Sequence, residues 1–225
     1  MGFLLKIGNH EVDEVSGFLE QAADMIIEGK VIAYPTNSVY GMGGDPLNEH
    51  LFHRLCQIKF REETKGFLLL VSDRMEAQKL ARFNPVAIKL SEHFWPGQLT
   101  LILPKTDSCI IPPRVVGGKE TIGLRVPENE VIKKILEILK SKGHLGAIIG
   151  TPANYSGEPP SVSGTEVANA FLATGAIDLI IDHGKSKSKL STTIVDCTDK
   201  IPEFLRIGKI SRQKIEGYLA REGLP

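Results

Sequence analysis

Short, dominantly apolar runs constrain this chain more than any other feature. Val31–Tyr34, Phe67–Val71, Leu99–Leu103, Thr121–Val126 and Leu145–Ile149 are each too short for a stable helix, and Gly, Pro or polar turn residues flank them. They are mostly continuous rather than alternating, the pattern of strands buried on both faces. Between them, apolar residues recur at helical spacing. Val15, Phe18, Leu19, Ala22 and Ile26 form one stripe; Leu51, Phe52, Leu55 and Ile58 form another; Ile132, Ile135, Leu136 and Leu139 form a third. Strands interleaved with amphipathic helices require a sheet with helices packed against it.

Boundary residues sharpen this reading. The first stripe predicts a helix over Val12–Ile27, stopped by Gly29. Asn48, Asn84 (before Pro85) and Asn129 each suit a helix N-cap, and Asp73/Glu76 and Ser163/Glu166 have capping-box spacing. Leu179–Ile181, Thr193–Val195 and Phe204–Ile207 read as short late strands. The chain shows no internal repeat and no linker. It divides into one domain over residues 1–210 and a short C-terminal tail, 211–225, with helical potential from Ser211.

Composition narrows the function classes. The chain has 225 residues, enough for a self-sufficient core, with 27 basic and 27 acidic side chains and no formal net charge. That balance argues against a surface built throughout to bind polyanions, while leaving room for a local basic cleft. Cys56, Cys109 and Cys197 are odd in number and lack metal-ligand spacing, so they read as reduced thiols of a cytoplasmic protein. Neither a signal peptide nor a membrane span is expected. His50 and His53 read as surface histidines.

Familiar enzyme signatures are missing: the chain has no phosphate loop, dinucleotide fingerprint, nucleophile elbow or zinc-helix motif. What remains is a set of polar loops at strand ends. Pro35–Gly44 leaves a buried strand with hydroxyls, an amide and three glycines. Lys59, Arg61 and Lys65 put three cations within seven residues, either a solvated face or a polyphosphate site. Arg125 lies inside an apolar strand and needs a partner or a cleft. Thr151–Gly157, Ser191–Thr193 and Arg206 complete the set.

Together these loops resemble the YrdC family of threonylcarbamoyl-AMP synthases in its short, single-domain form. The family's opening Pro-Thr-acidic-Thr-x-Tyr-Gly-x-Gly is matched by Pro35–Gly43, and its Lys-x-Arg followed by Lys by Lys59, Arg61 and Lys65. Trp-Pro-Gly-x-Leu-Thr is matched by Trp95–Thr100, and Gly-x-Arg-x-Pro by Gly123–Pro127. Ser-Ala-Asn-x-Ser-Gly is matched imperfectly by Pro152–Gly157, Ser-Thr-x-Val-Asp by Thr192–Asp196, and Arg-x-Gly by Arg206–Gly208. Asn37 stands where the family usually has an acid, Glu62 where it often has Pro, and Pro152 where it has Ser.

The resemblance implies a mixed α/β fold of the YrdC/RibB-like kind: an open, strongly twisted mixed sheet of about seven strands with flanking helices and a concave cleft. It implies a nucleotidyltransferase that converts ATP, L-threonine and bicarbonate into threonylcarbamoyl-AMP and pyrophosphate for the threonylcarbamoyladenosine of tRNA. Mg2+ would arrive bound with ATP, with no metal held by the protein alone, and tRNA or a transfer complex is a possible partner. Carried onto this sequence, Lys59, Arg61 and Lys65 are the catalytic cations and hold ATP together with Asn154, Ser156, Thr192 and Arg206. Thr36, Tyr40, Arg125 and Thr193 frame threonine. The alternatives are a double-stranded RNA or tRNA-binding module, or a related nucleotide-binding carbamoyl-adenylate enzyme. The first is weakened by the zero net charge and an aromatic content of only 6%.

Overall fold

The computed structural model describes every residue except Met1, Asn9 and Lys187. The described residues form seven α-helices interspersed among ten strands, and most helix starts follow the side-chain chemistry of their caps. The Asn48, Asp73, Asn84 and Ser163 side chains each accept an N–H at the third helical position. They open α2 (Glu49–Ile58), α3 (Arg74–Leu80), α4 (Pro85–Phe94) and α6 (Gly164–Phe171). Asn129 accepts from both Val131 and Ile132 at the start of α5 (Glu130–Ser141). Only one of the two capping boxes has its return arm. The Glu166 carboxylate accepts from the Val162 N–H, one residue before the cap, whereas Glu76 is buried and paired with Lys79 and Lys140. The first helix, α1 (Ser16–Ile27), begins later than its apolar stripe. Residues 211–225 contain α7 (Arg212–Arg221), whose Ile215 and Leu219 are buried in the main core.

The strands are β1 (Phe3–Lys6), β2 (Ile32–Tyr34), β3 (Gly41–Gly43), β4 (Leu68–Val71), β5 (Leu99–Pro104), β6 (Thr121–Arg125), β7 (Ala147–Pro152), β8 (Leu179–Asp182), β9 (Thr193–Asp196) and β10 (Glu203–Arg206). They form one mixed sheet in the order β1-β8-β2-β3-β7-β4-β6-β5-β9-β10. β1–β8, β8–β2, β4–β6 and β5–β9 run parallel, and the other neighbours antiparallel. The mixed sheet with flanking helices expected from the sequence is therefore present, and it is wider than about seven strands. The strands absent from the sequence reading are β1 and β3.

Strand alternation sorts the core into two layers. Leu69, Val71, Leu101, Leu124, Ile149 and Val195 point to one face, which α2, α3, α4, α6 and α7 cover. Ile32, Tyr34, Leu70, Ile148 and Ile181 point to the other face, where only α1 and α5 pack. Those two helices cover the end of the sheet around β8, β2 and β7. Toward β6, β5 and β9 the second face carries Thr100, Gly123 and Arg125 instead of a helix layer. A cleft lies on that open stretch.

Two expectations follow. A Cβ on Gly43 would sit 1.6 Å from the Ile149 carbonyl oxygen, inside the β3–β7 pairing. G43A should destabilise the fold by about 3 kcal/mol, the upper range for overpacking, and lower Tm by about 6–12 °C in a melt followed by circular dichroism. Burial pushes the thiol of Cys197 up to about 12 and also raises that of Cys56, while Cys109 is only partly buried. Alkylation at neutral pH should therefore label Cys109 first, with Cys197 silent until denaturant is added.

Candidate functional site

The open face holds a cleft walled by the Tyr34–Gly41 segment on one side and by Ser191, Thr192 and Arg206 on the other. Its floor is Leu68, Leu70 and Gly150. A Cβ on Gly150 would meet the Leu70 side chain at 3.0 Å, so glycine there keeps the floor low. Among the described residues, the charged ones lining this cleft are Arg125 and Arg206, and no acid lines it.

Arg125 is only 5% exposed, and every group it bonds is neutral. Its Nε donates to the Gly97 carbonyl at 2.8 Å, Nη1 reaches Ser38 Oγ at 3.5 Å, and Nη2 donates to Asn37 Oδ1. Burial is the main reason its pKa falls from the usual guanidinium range to about 10; the nearby Arg206 charge acts in the same direction. Arg206 is fixed by Thr192, donating from Nε to the carbonyl at 3.0 Å and from Nη2 to the hydroxyl at 2.9 Å. The β9–β10 register shifts between Phe204 and Arg206. That bulge lets both Leu205 and Arg206 border clefts on the same face.

The Tyr34–Gly41 wall is internally braced. Thr36 Oγ1 donates to the Val39 carbonyl at 2.7 Å and accepts the Ser38 N–H at 3.0 Å. The Tyr40 hydroxyl points out of the cleft, donating to the Gly184 carbonyl at 2.8 Å and accepting from the His183 N–H at 3.1 Å. Its ring is what remains for a ligand.

A second cleft adjoins the first across Leu68 and is lined by Arg61, Lys65, Lys119, Thr121 and Asp196, among others. Arg61 lies over the Phe67 ring at 5.1 Å and donates from Nη2 to the Lys65 carbonyl at 3.1 Å. Lys65 is largely exposed and 3.6 Å from Glu62. Lys59 belongs to neither cleft. Its ammonium is turned onto the Pro152 carbonyl at 3.0 Å and onto the carbonyl and Oδ1 of Asn154. Burial lowers its pKa to about 8, with Arg61 adding to the shift.

The sequence-derived residues thus fall into three groups. Thr36, Tyr40, Arg125, Thr192 and Arg206 share the first cleft, and Arg61 and Lys65 the second. Lys59, Asn154, Ser156 and Thr193 line neither. Thr193 shares its strand face with buried Val195, and its hydroxyl donates to the Ile210 carbonyl at 2.6 Å. Ser156 lies on an exposed turn, and Asn154 is held by Lys59 and Glu158. Sequence reasoning did not single out Ser38, which braces Thr36 and faces Arg125, or Lys119, which joins the second cleft from the Gly117–Gly118 turn. Only the Thr-x-Ser spacing hinted at the first; nothing hinted at the second. Among the described residues no three His, Cys, Asp or Glu side chains group as a metal cage.

Comparison with known proteins places this geometry. The family model Sua5/YciO/YrdC, described as telomere recombination, matches residues 24–208. A threonylcarbamoyl-AMP synthase of Pyrococcus abyssi is 34% identical over 196 residues, covering 87% of this chain and 55% of that protein. A putative threonylcarbamoyl-AMP synthase of Methanocaldococcus jannaschii is 30% identical over 212 residues, covering 94% and 96%. Among solved structures, Pyrococcus abyssi Sua5 complexed with L-threonine superposes with a TM-score of 0.85 at 31% identity, covering 96% of this chain and 61% of that one. Escherichia coli YciO superposes with a TM-score of 0.81 at 28% identity, covering 96% and 100%. The chain spans little more than half the length of the Pyrococcus synthase, and almost all of the Methanocaldococcus protein. With this fold, these motifs and these matches, the chain belongs to the Sua5/YciO/YrdC family.

Proposed function

We propose that this protein is a threonylcarbamoyl-AMP synthase, joining ATP, L-threonine and bicarbonate with release of pyrophosphate. The observation that carries the reading is the pair of adjoining cationic clefts. One has two guanidiniums and no acid along its lining; the next has Arg61, Lys65 and Lys119. Joining an amino-acid carbamate to a nucleotide needs two anion sites side by side. The relatives named threonylcarbamoyl-AMP synthase support the same reading.

In this reaction the threonine amine combines with bicarbonate, losing water and a proton to solvent, to give N-carboxythreonine, whose new carboxylate attacks the α-phosphorus of ATP and displaces pyrophosphate. The nucleophile comes from substrate, so the protein needs no catalytic triad. Its task is to position the groups and neutralise their charge. Arg125 suits the amino-acid carboxylate, because its fork can give two parallel hydrogen bonds. Thr36 and the Tyr40 ring border the remainder of the amino acid. Thr192 and Arg206 sit where the two substrates would meet. Arg61 and Lys65, with Lys119, would draw the polyphosphate into the second cleft and stabilise the leaving pyrophosphate. Lys59 acts through Asn154, fixing the loop at the end of β7 rather than reaching phosphate itself.

Magnesium fits this site as an ion carried by ATP. Asp196 is the one carboxylate lining the second cleft, and it already accepts from the backbone N–H and hydroxyl of Thr198. Bound with the nucleotide, the ion supplies further neutralisation of phosphate charge.

Two measurements test the assignment. Incubation with ATP, L-threonine and labelled bicarbonate should yield pyrophosphate and a labelled mixed anhydride together. R125A should lower that threonine-dependent pyrophosphate release by about 100-fold or more, while ATP affinity is retained; normal turnover by R125A would overturn Arg125's role. Lys65 is exposed, so its reversal will be partly screened. K65E should weaken ATP binding by about tenfold without weakening threonine binding, as read by calorimetry. Equal loss of both affinities would indicate damage to the fold.

A further inference from the structure

Asn37 lies between two oppositely charged side chains and is oriented by both. Its Oδ1 accepts from Arg125 Nη2, and its Nδ2 donates to Glu128 Oε2 at 2.9 Å. The amide therefore stands as a neutral spacer between the buried guanidinium and the nearest carboxylate in its hydrogen-bond chain. Gln98 anchors the same residue from behind, donating to the Asn37 carbonyl. Arg125 makes its other bonds to the Gly97 carbonyl and the Ser38 hydroxyl, both neutral. Arg206 from β10 adds a second cation to the cleft, while Tyr34 from β2 and Tyr40, just before β3, line it with neutral rings, burial raising their phenol pKa values. Asp182 on β8 lies behind the Tyr40 hydroxyl, outside the lining.

We propose that Asn37 is a specificity-determining residue, which leaves Arg125 without a directly paired carboxylate so that the cleft selects the doubly anionic N-carboxy form of the amino acid over its zwitterion. The inference rests on the synthase reading above. A zwitterion brings an ammonium group into a cleft lined by two guanidiniums and no acid, and like charges in a desolvated site repel strongly. The N-carboxy form has no ammonium and presents two carboxylates to two guanidiniums. A carboxylate at position 37 would form an ion pair with Arg125 and cancel half of the lining charge. Such a carboxylate beside Glu128 would also repel it, so the relay keeps its hydrogen bonds only if residue 128 becomes an amide donor.

The test compares two ligands by calorimetry in carbonate-free buffer at pH 7. One is L-threonine. The other is 2-(1-hydroxyethyl)butanedioate, a stable dicarboxylate in which a methylene replaces the nitrogen of N-carboxythreonine. The unsubstituted protein should bind the dicarboxylate more tightly than threonine by about tenfold or more. E128Q, at an exposed site, should keep that preference. N37D/E128Q, checked for an unchanged melting curve, should lose it, with the affinity ratio falling by about tenfold or more. A preference for threonine in the unsubstituted protein, or the same ratio in the folded double variant, would overturn the proposal. Failure to bind either ligand would overturn it together with the synthase reading. Dicarboxylate binding with an unaltered ratio would overturn the role of Asn37 alone.

Discussion

The functional surface depends on a mismatch of coverage. Ten strands spaced ~4.8 Å apart make a sheet about 43 Å across. α1 and α5 are 12 residues each, about 18 Å long, and two packed helices ~10 Å apart cover only part of that width. Five helices close the opposite face, and the remaining stretch of this one has loops rather than helices over it. Polar and glycine positions concentrate there. Thr100, Gly123, Arg125 and Gly150 are buried beneath those loops without an apolar layer against them, which leaves a cleft where the rest of the sheet has core.

Much of the scaffold was legible from local chemistry. Asn48, Asp73, Asn84, Asn129 and Ser163 marked helix starts because a cap acts within a few residues of itself. β1 and β3 were not. β3 is Gly-Met-Gly, which has no strand preference; β2 and β7 hold it extended from either side. β1 is four residues at the sheet edge, partly exposed, and its partner β8 is remote in sequence.

The site was legible as composition and less so as direction. Three cations at 59, 61 and 65 read as a cluster, but Phe60 between the first two adopts a φ of 44°, a left-handed geometry costly for a side chain of that size. After that turn Lys59 reaches the β7 end, while Arg61 and Lys65 border the second cleft. Thr192 and Thr193 diverge for a simpler reason. Successive strand side chains point to opposite faces, so Thr193 goes with Val195 into the core. The Arg206 bulge breaks that same alternation, which no pattern in the sequence announces.

The sheet order also has a consequence in time. β1 pairs with β8, which follows it by roughly 175 residues, and β2, β3, β4 and β5 likewise wait for β8, β7, β7 and β9. During synthesis at roughly 5–20 residues per second, β1 spends roughly 10–35 seconds without its neighbour. The Thr36 wall is made roughly 170 residues before the Arg206 wall. The cleft does not exist until Arg206 has been added, so nothing bound there can template the earlier stages. Until β7, β8 and β9 are made, the nascent chain carries unpaired apolar strands, a long interval of vulnerability to misassociation.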